Sequence, residues 1–390
     1  MEPEDPITGA EGGVADVDVV DEEMPRFRLT RRSMWLFALF VVTALAFLYF
    51  VLPQLGGVKH TWDRLNEGNS WWIAVAVLVQ VAAMASYIAI FHGVHVPPGS
   101  KITFRESYLI TMAGLAATRL FAAGGAGGVA VTAWALRHSG MRRREVAERM
   151  IAFLVLLYGA YMVALVVCGV GLYTHLFAGP APFAITIGPA IVASAAILAT
   201  LVIAFVPPDL ERRLSGSAGA DRAPAHWLRS IATGSASMSG GVRYAGRKLR
   251  HPDWAMIGTV AWWALNICVL YAAFRAFGHA PPTAVLVEAF FVGMLANLLP
   301  LPGGIGGVDG GMIGAFVAFG VSGSLALIAV LVYRLMSFWL PSIPGAIAYF
   351  QLRRTVTRWR GYTSQSKATQ AHAPTAVGWP AGAGELEATR

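Results

Sequence analysis

Charge is scarce in this chain. Asp, Glu, Lys and Arg make up 13% of its 390 residues, against about 25% in soluble domains, while 56% are apolar. That balance excludes an ordinary soluble globule. Only two cysteines occur, Cys168 and Cys268, both inside apolar runs, which excludes a disulfide framework or a cysteine-ligated metal site. Catalytic signatures are missing as well. No Lys-Ser or Lys-Thr follows a glycine cluster to make a phosphate loop, and there is no HExxH, nucleophile elbow or Cys-His pattern. No metal, cofactor or enzymatic activity is therefore expected. His92 and His95, three apart, lack a third ligand nearby and read as a solvated helix end.

What is abundant is uninterrupted apolar sequence. No charged residue occurs in 33–58, 68–100, 150–208 or 254–274, and each run exceeds the ~20 residues that span a bilayer as helix. The first run follows an acidic leader and is too long for a cleaved signal peptide, so it reads as a retained helix. Residues 1–23 hold nine acids and no base, leaving 30 bases against 13 acids in the remainder. Residues 1–30 and 354–390 are expected to be disordered tails.

The bases fall into clusters at 26–32, 101–105, 137–144, 212–250 and 353–390, which hold 24 of the 30. The positive-inside rule places all five, and both chain ends, on the cytoplasmic side of the plasma membrane. Helix 34–55 then runs outward and 70–91 returns. A single crossing over 107–136 would put the 137–144 cluster outside, so this segment is predicted to be a re-entrant hairpin. Helices 147–173, 183–206 and 254–277 follow, with a cytoplasmic segment over 207–253. A second hairpin over 283–321, entering from the outside, lets helix 324–350 deliver the basic tail inward. The expected class is an all-α polytopic membrane protein with six spans and two oppositely oriented re-entrant hairpins, in membrane halves 31–206 and 254–353. Within 207–253, eight bases and interspersed apolar residues suit a surface on anionic lipid, whereas Gly234 to Gly241 suits a flexible linker; both readings stay open. Positive-inside bias accounts for the charge without nucleic-acid binding.

The two broken segments match each other. RLFAAGGAGGV at 119–129 and LLPLPGGIGGV at 298–308 share Gly-Gly-x-Gly-Gly-Val at an offset of 179, and Gly140-Met141 and Gly320-Val321 follow one residue out of register. With the topology above the copies are inverted, a plan common among secondary transporters. The same residues resemble the flippase-like transmembrane region of lysylphosphatidylglycerol synthases, the multiple peptide resistance factors, over roughly 34–353. NLLPLPGGIGGVDGGMIGAFVAFGV and LVYRLMSFWLPSIPG are similar to that family's second-half signature and its Tyr-Arg-containing last helix, and Thr118-Arg119-Leu120 is similar to its Asn-Arg-Leu. Asp309 stands where Glu is usual, and Phe153-Leu154 where Glu-Arg is frequent. Bifunctional members append an acyltransferase-like domain, whereas 37 residues follow Arg353 here. The resemblance implies the lipid-translocating half without the synthase.

Arg119 and Arg334 lie inside apolar segments, where a central arginine costs roughly 2.5–3.5 kcal/mol on insertion scales. A lipid phosphate in a water-filled cavity would repay that cost through the planar guanidinium fork. The structural alternative for Arg119 is an ion pair with Glu288 or Asp309, or bonds to hairpin carbonyls. Gly124, Gly125, Gly127, Gly128, Gly303, Gly304, Gly306 and Gly307 open the returning half-helices, whose free N–H groups suit an anion; tight packing explains them equally. Asp309 favours a helix N-terminus, and Glu288 is expected to pair with arginine or else to carry a proton. Asn297 is placed to bond backbone freed at the second break. The function expected is a translocase for a phosphate-bearing phospholipid or glycolipid. The alternative is a membrane subunit presenting lipid to a separate cytosolic aminoacyl- or glycosyltransferase.

Overall fold

Backbone amides in lipid have no water to bond, so apolar runs close their hydrogen bonds within helices. The computed structural model of the protein describes residues 68–97, 99–100, 102–120, 126–205, 225–250, 253–298 and 306–371, which form helices and turns and, among the described residues, no strand. In chain order these are α1 (Ser70–His95), α2 (Phe104–Leu120), α3 (Ala126–His138), α4 (Arg143–Tyr173) and α5 (Phe183–Ala204). They continue as α6 (Ala225–Arg250), α7 (Trp254–Phe277), α8 (Thr283–Met294, with a 3-10 turn to Leu298), α9 (Gly307–Ala318), α10 (Gly323–Arg334) and α11 (Leu340–Ala371). A π-helical turn, Leu335–Trp339, joins the last two.

Among the described residues, five stretches are long and apolar enough to cross a membrane: α1, α4, α5, α7 and the continuous Gly323–Thr357. The all-helical polytopic class read from the sequence is thus the observed one. The expected span 34–55 and the acidic tail lie outside the described residues. Helix α11 continues to Ala371, past residue 354 where a disordered tail was expected to begin.

Helices α1 and α7, which correspond at the 179-residue offset, pack most extensively. They run antiparallel: the Asn69 N–H donates to the Ala276 carbonyl at one end (2.9 Å), and Gly93 abuts Ala255 at the other. Each starts at a side-chain cap, with Asn69 accepting from the Trp71 N–H (3.0 Å) and Asp253 from that of Ala255 (2.9 Å). Helix α2 folds back against α3, and α8 against α9. Each pair then packs on the helix that follows the pair in the other half: α2 on α11, α8 on α4.

The helix pairs are closed by glycine. A Cβ on Gly128 would stand 2.6 Å from the Gly114 carbonyl oxygen, and one on Gly293 2.7 Å from the Met312 backbone nitrogen. Gly114 and Gly293 occupy equivalent places in the two copies, 179 residues apart. The returning helices also end alike. Gly140 (φ 99°) and Gly320 (φ 84°) adopt the left-handed conformation. Their N–H groups bond Arg137 and Val317, and the next residues, Met141 and Val321, bond Leu136 and Phe316. That is the same two-bond glycine cap twice, at the glycines the sequence places one residue out of register.

The segment expected to be a linker or a lipid-surface element contains α6, which packs on α4 and α5. Its Gly240 and Gly241 fit against Glu148 and Ile151 of α4. Tyr244 lies under the guanidinium groups of Arg149 (5.4 Å) and Arg247 (5.5 Å). Arg149 also bonds Glu145 (2.9 Å) and the Val94 carbonyl (3.1 Å), so it joins α4 to the end of α1.

Candidate anion site

The last membrane helix carries Pro341 and Pro344. A proline has no N–H for the carbonyl four residues earlier, so Pro341 leaves that of Ser337 without its helical donor, and the chain passes through a π-helical turn just before it. Arg119 of α2 fills the gap. Its guanidinium donates to the Phe338 carbonyl (2.7 Å) and the Ser337 carbonyl (3.0 Å) and lies over the Phe338 ring, 5.1 Å from the centroid. The Ser342 hydroxyl also donates to the Phe338 carbonyl (2.6 Å). Hydrogen bonds from a charged group are worth about 1.5–3 kcal/mol each and cation–π contacts about 0.5–2 kcal/mol, enough to meet the insertion cost.

Arg334 approaches from the preceding turn of the same helix. It forms an ion pair with Asp309, their side chains 15% and 18% exposed, and its guanidinium lies 5.2 Å from the Phe338 centroid. Two guanidinium groups therefore share one aromatic ring. Asp309 is set by the first turn of α9, where its other oxygen accepts the Gly306 N–H at 3.0 Å, and Gly306 turns the chain there with φ 82°. Among the described residues, Arg119 is held by neutral carbonyls and meets no carboxylate.

The other sequence-predicted residues are dispersed. Gly127 and Gly128 are buried in the first turn of α3, and Gly128 faces Thr118 and Gly114 across the helix pair. Gly307 is half-buried beside Gly306 at the start of α9. Gly124, Gly125, Gly303 and Gly304 lie outside the described residues, and Asn297 is placed by backbone alone, in the 3-10 turn. Glu288 is elsewhere. It is fully buried in α8, and the arginine pairing expected for it is absent among the described residues: Arg334 takes Asp309 and Arg119 takes carbonyls. His92 meets the Ser107 hydroxyl (2.8 Å), while His95, buried and not solvated as expected, meets the Phe91 carbonyl (3.1 Å).

Sequence reasoning missed Ser337, Phe338 and Pro341. The signal was present, because a proline in an apolar helix frees a carbonyl, and an otherwise unpaired membrane arginine is the donor able to meet it.

Part of the chain is similar to proteins named "UPF0104 membrane protein" from Methanothermobacter thermautotrophicus. One is 36% identical over 96 residues, 24% of this chain and 27% of the relative; another is 44% identical over 91 residues, 23% and 27%. A third is 40% identical over 86 residues, 22% and 26%. Each match thus spans about a quarter of the relative's length. The family described as lysylphosphatidylglycerol synthase TM region matches residues 35–345, most of the chain and all of α1 to α10, including Arg119, Asp309, Arg334 and the π-helical turn. The protein therefore belongs to the lysylphosphatidylglycerol synthase transmembrane-region family.

Proposed function

We propose that the protein translocates a phosphate-bearing lipid across the plasma membrane, with the head group held between Arg119 and Arg334. One observation carries this reading. Arg119 is fixed by neutral carbonyls beside a second guanidinium that already has its carboxylate, so among the described residues the cluster's two positive charges face the one negative charge of Asp309. The carbonyls and the ring meet the cost of burying Arg119 but leave its charge uncancelled, so an anion entering the cluster gains a charge-assisted partner. A lipid phosphodiester brings one negative charge and oxygens suited to a guanidinium fork. Family membership supports a lipid-related membrane role.

In this reading α2–α3 and α8–α9 are re-entrant hairpins entering from opposite faces, and both chain ends are cytoplasmic. The antiparallel run of α1 and α7, the crossed packing of each helix pair on the other half, and the repeated glycine caps support an inverted repeat. Movement of one half against the other would carry the site from one leaflet to the other. Asp309 would hold Arg334 while the site is empty and yield to phosphate when it is filled.

The test is leaflet exchange of labelled phospholipid in liposomes holding purified protein. Wild type should exceed empty liposomes, and Arg119→Ala and Arg334→Ala should each lower exchange by at least about tenfold, the loss of one charged contact. Unchanged exchange in both variants would refute the site. Absence of exchange by wild type, with phospholipid still bound, would favour a subunit that presents lipid to a separate transferase.

A further inference from the structure

We propose that Glu288 is a proton-binding site, occupied while α8 is packed against α4 and α5. Glu288 is 0% exposed, and neither carboxyl oxygen has a hydrogen-bond partner among the described residues. The site is built by small residues that bring three helices together. A Cβ on Gly169 of α4 would stand 3.1 Å from Glu288 Oε1, 2.5 Å from the Thr186 carbonyl oxygen of α5 and 3.3 Å from the Ala190 Cβ. Val285, one turn earlier on α8, closes against Gly179 of the α4–α5 turn.

Among the described residues, the groups around it supply no countercharge. On α4, Tyr161 and Cys168 are its titratable neighbours, and the Tyr161 hydroxyl donates to the Phe291 carbonyl (3.0 Å). Helix α5 has no ionisable side chain, and Tyr173 at the end of α4 and His175 of the α4–α5 turn are exposed. On α7, Tyr271 and Arg275 engage the Trp72 ring of α1, and Cys268 is exposed. On α9, Asp309 is taken by Arg334. A carboxylate with no cation and no donor in such surroundings is far costlier than the neutral acid. A sodium ion would need several more oxygens than the two carboxyl atoms and the Thr186 carbonyl. The proton is therefore the occupant, and its release requires that α8 part from α4 or α5 and admit water.

The site stands on packing and does not depend on lipid movement. It bears on the proposed translocation because the helix pair that carries Glu288 also carries Asp309. Uptake of a proton at Glu288 would favour the packed position of that pair, and loss would favour an opened one.

Dicyclohexylcarbodiimide tests this directly. It adds only to a protonated carboxyl, whose O–H crosses its C=N bond, and it partitions into lipid. With the full-length protein in nanodiscs, mass spectrometry should find the adduct on Glu288, falling by at least about tenfold from mildly acidic to strongly alkaline buffer. Sodium at fixed pH should not protect it; protection by sodium would overturn the proton assignment. Thermal unfolding decides the matter if the reagent fails to enter. Glu288→Gln mimics the neutral acid, so wild type should lose stability as pH rises while Glu288→Gln does not. Parallel pH profiles for the two proteins would overturn the proposal. Neither readout involves lipid exchange, so its failure is separable from failure of the translocase reading.

Discussion

The close approach of α8 and α9 fixes the sign of a pair of glycine substitutions. In Gly293→Ala the new methyl would lie 2.2 Å from Met312 Cγ, 2.7 Å from its backbone nitrogen and 2.8 Å from its Cα. The methionine side chain can rotate away, but the backbone cannot. Reaching ordinary contact near 3.4 Å requires α9 to retreat by about 0.7 Å. Overpacking of this kind costs about 1–3 kcal/mol, offset by the 0.5–1 kcal/mol that alanine gains over glycine inside a helix, for a net loss of about 0–2.5 kcal/mol. Gly310→Ala is the control. It lies in the first turns of α9 with nothing within 4 Å of its Cβ, so it should stabilise by about 0.5–1 kcal/mol. Unfolding by titration with a denaturing detergent, monitored by circular dichroism, gives both values on one scale. If Gly293→Ala is as stable as Gly310→Ala, the described packing of the second helix pair is wrong.

Two further outcomes follow from the same geometry. Arg334→Met should destabilise by about 3 kcal/mol because it leaves Asp309 without its partner, and adding Asp309→Asn should restore much of that loss; the double-mutant cycle in detergent unfolding checks this, and simple additivity would contradict it. Cysteines introduced at Ser139 and Ser322, after α3 and before α10, should react with an impermeant maleimide from the cytoplasmic and external sides respectively. Labelling of Ser139→Cys from outside would remove the inverted arrangement of the helix pairs.

Much of the fold was legible because lipid allows the chain few choices. A run without charge had to be helix, and the Trp254–Phe277 helix has the bounds 254–277 expected from the apolar run. The described helices of the second pair stop at Leu298 and resume at Gly307, on either side of the proline- and glycine-rich stretch where a break was expected. The glycine-rich stretch of α6 misled, since Gly240 and Gly241 look like linker residues and in fact let Glu148 and Ile151 approach. Small residues at a packing face and small residues in a flexible segment have the same composition. Arg119 and Arg334 were identifiable from the cost of burying charge, but their partners were not. Ser337 and Phe338 offer backbone carbonyls, which no side-chain pattern marks, and Arg119 meets them across more than two hundred residues. Glu288 shows the converse: an isolated carboxyl invites pairing with the nearest arginine, yet both arginines are engaged in a different cluster.

The central claim is that phosphate is what the paired arginines recognise, and the most direct measurement varies only the head group. Liposomes holding wild-type protein would be loaded with labelled lipids sharing one acyl composition: an anionic phospholipid, a zwitterionic phospholipid, a lysylated phospholipid and a glycolipid without phosphate. The account predicts protein-dependent leaflet exchange of phosphate-bearing lipids and none above background for the phosphate-free one. Equal exchange of the phosphate-free lipid would contradict it, and would reassign Arg119 to holding the π-helical turn alone.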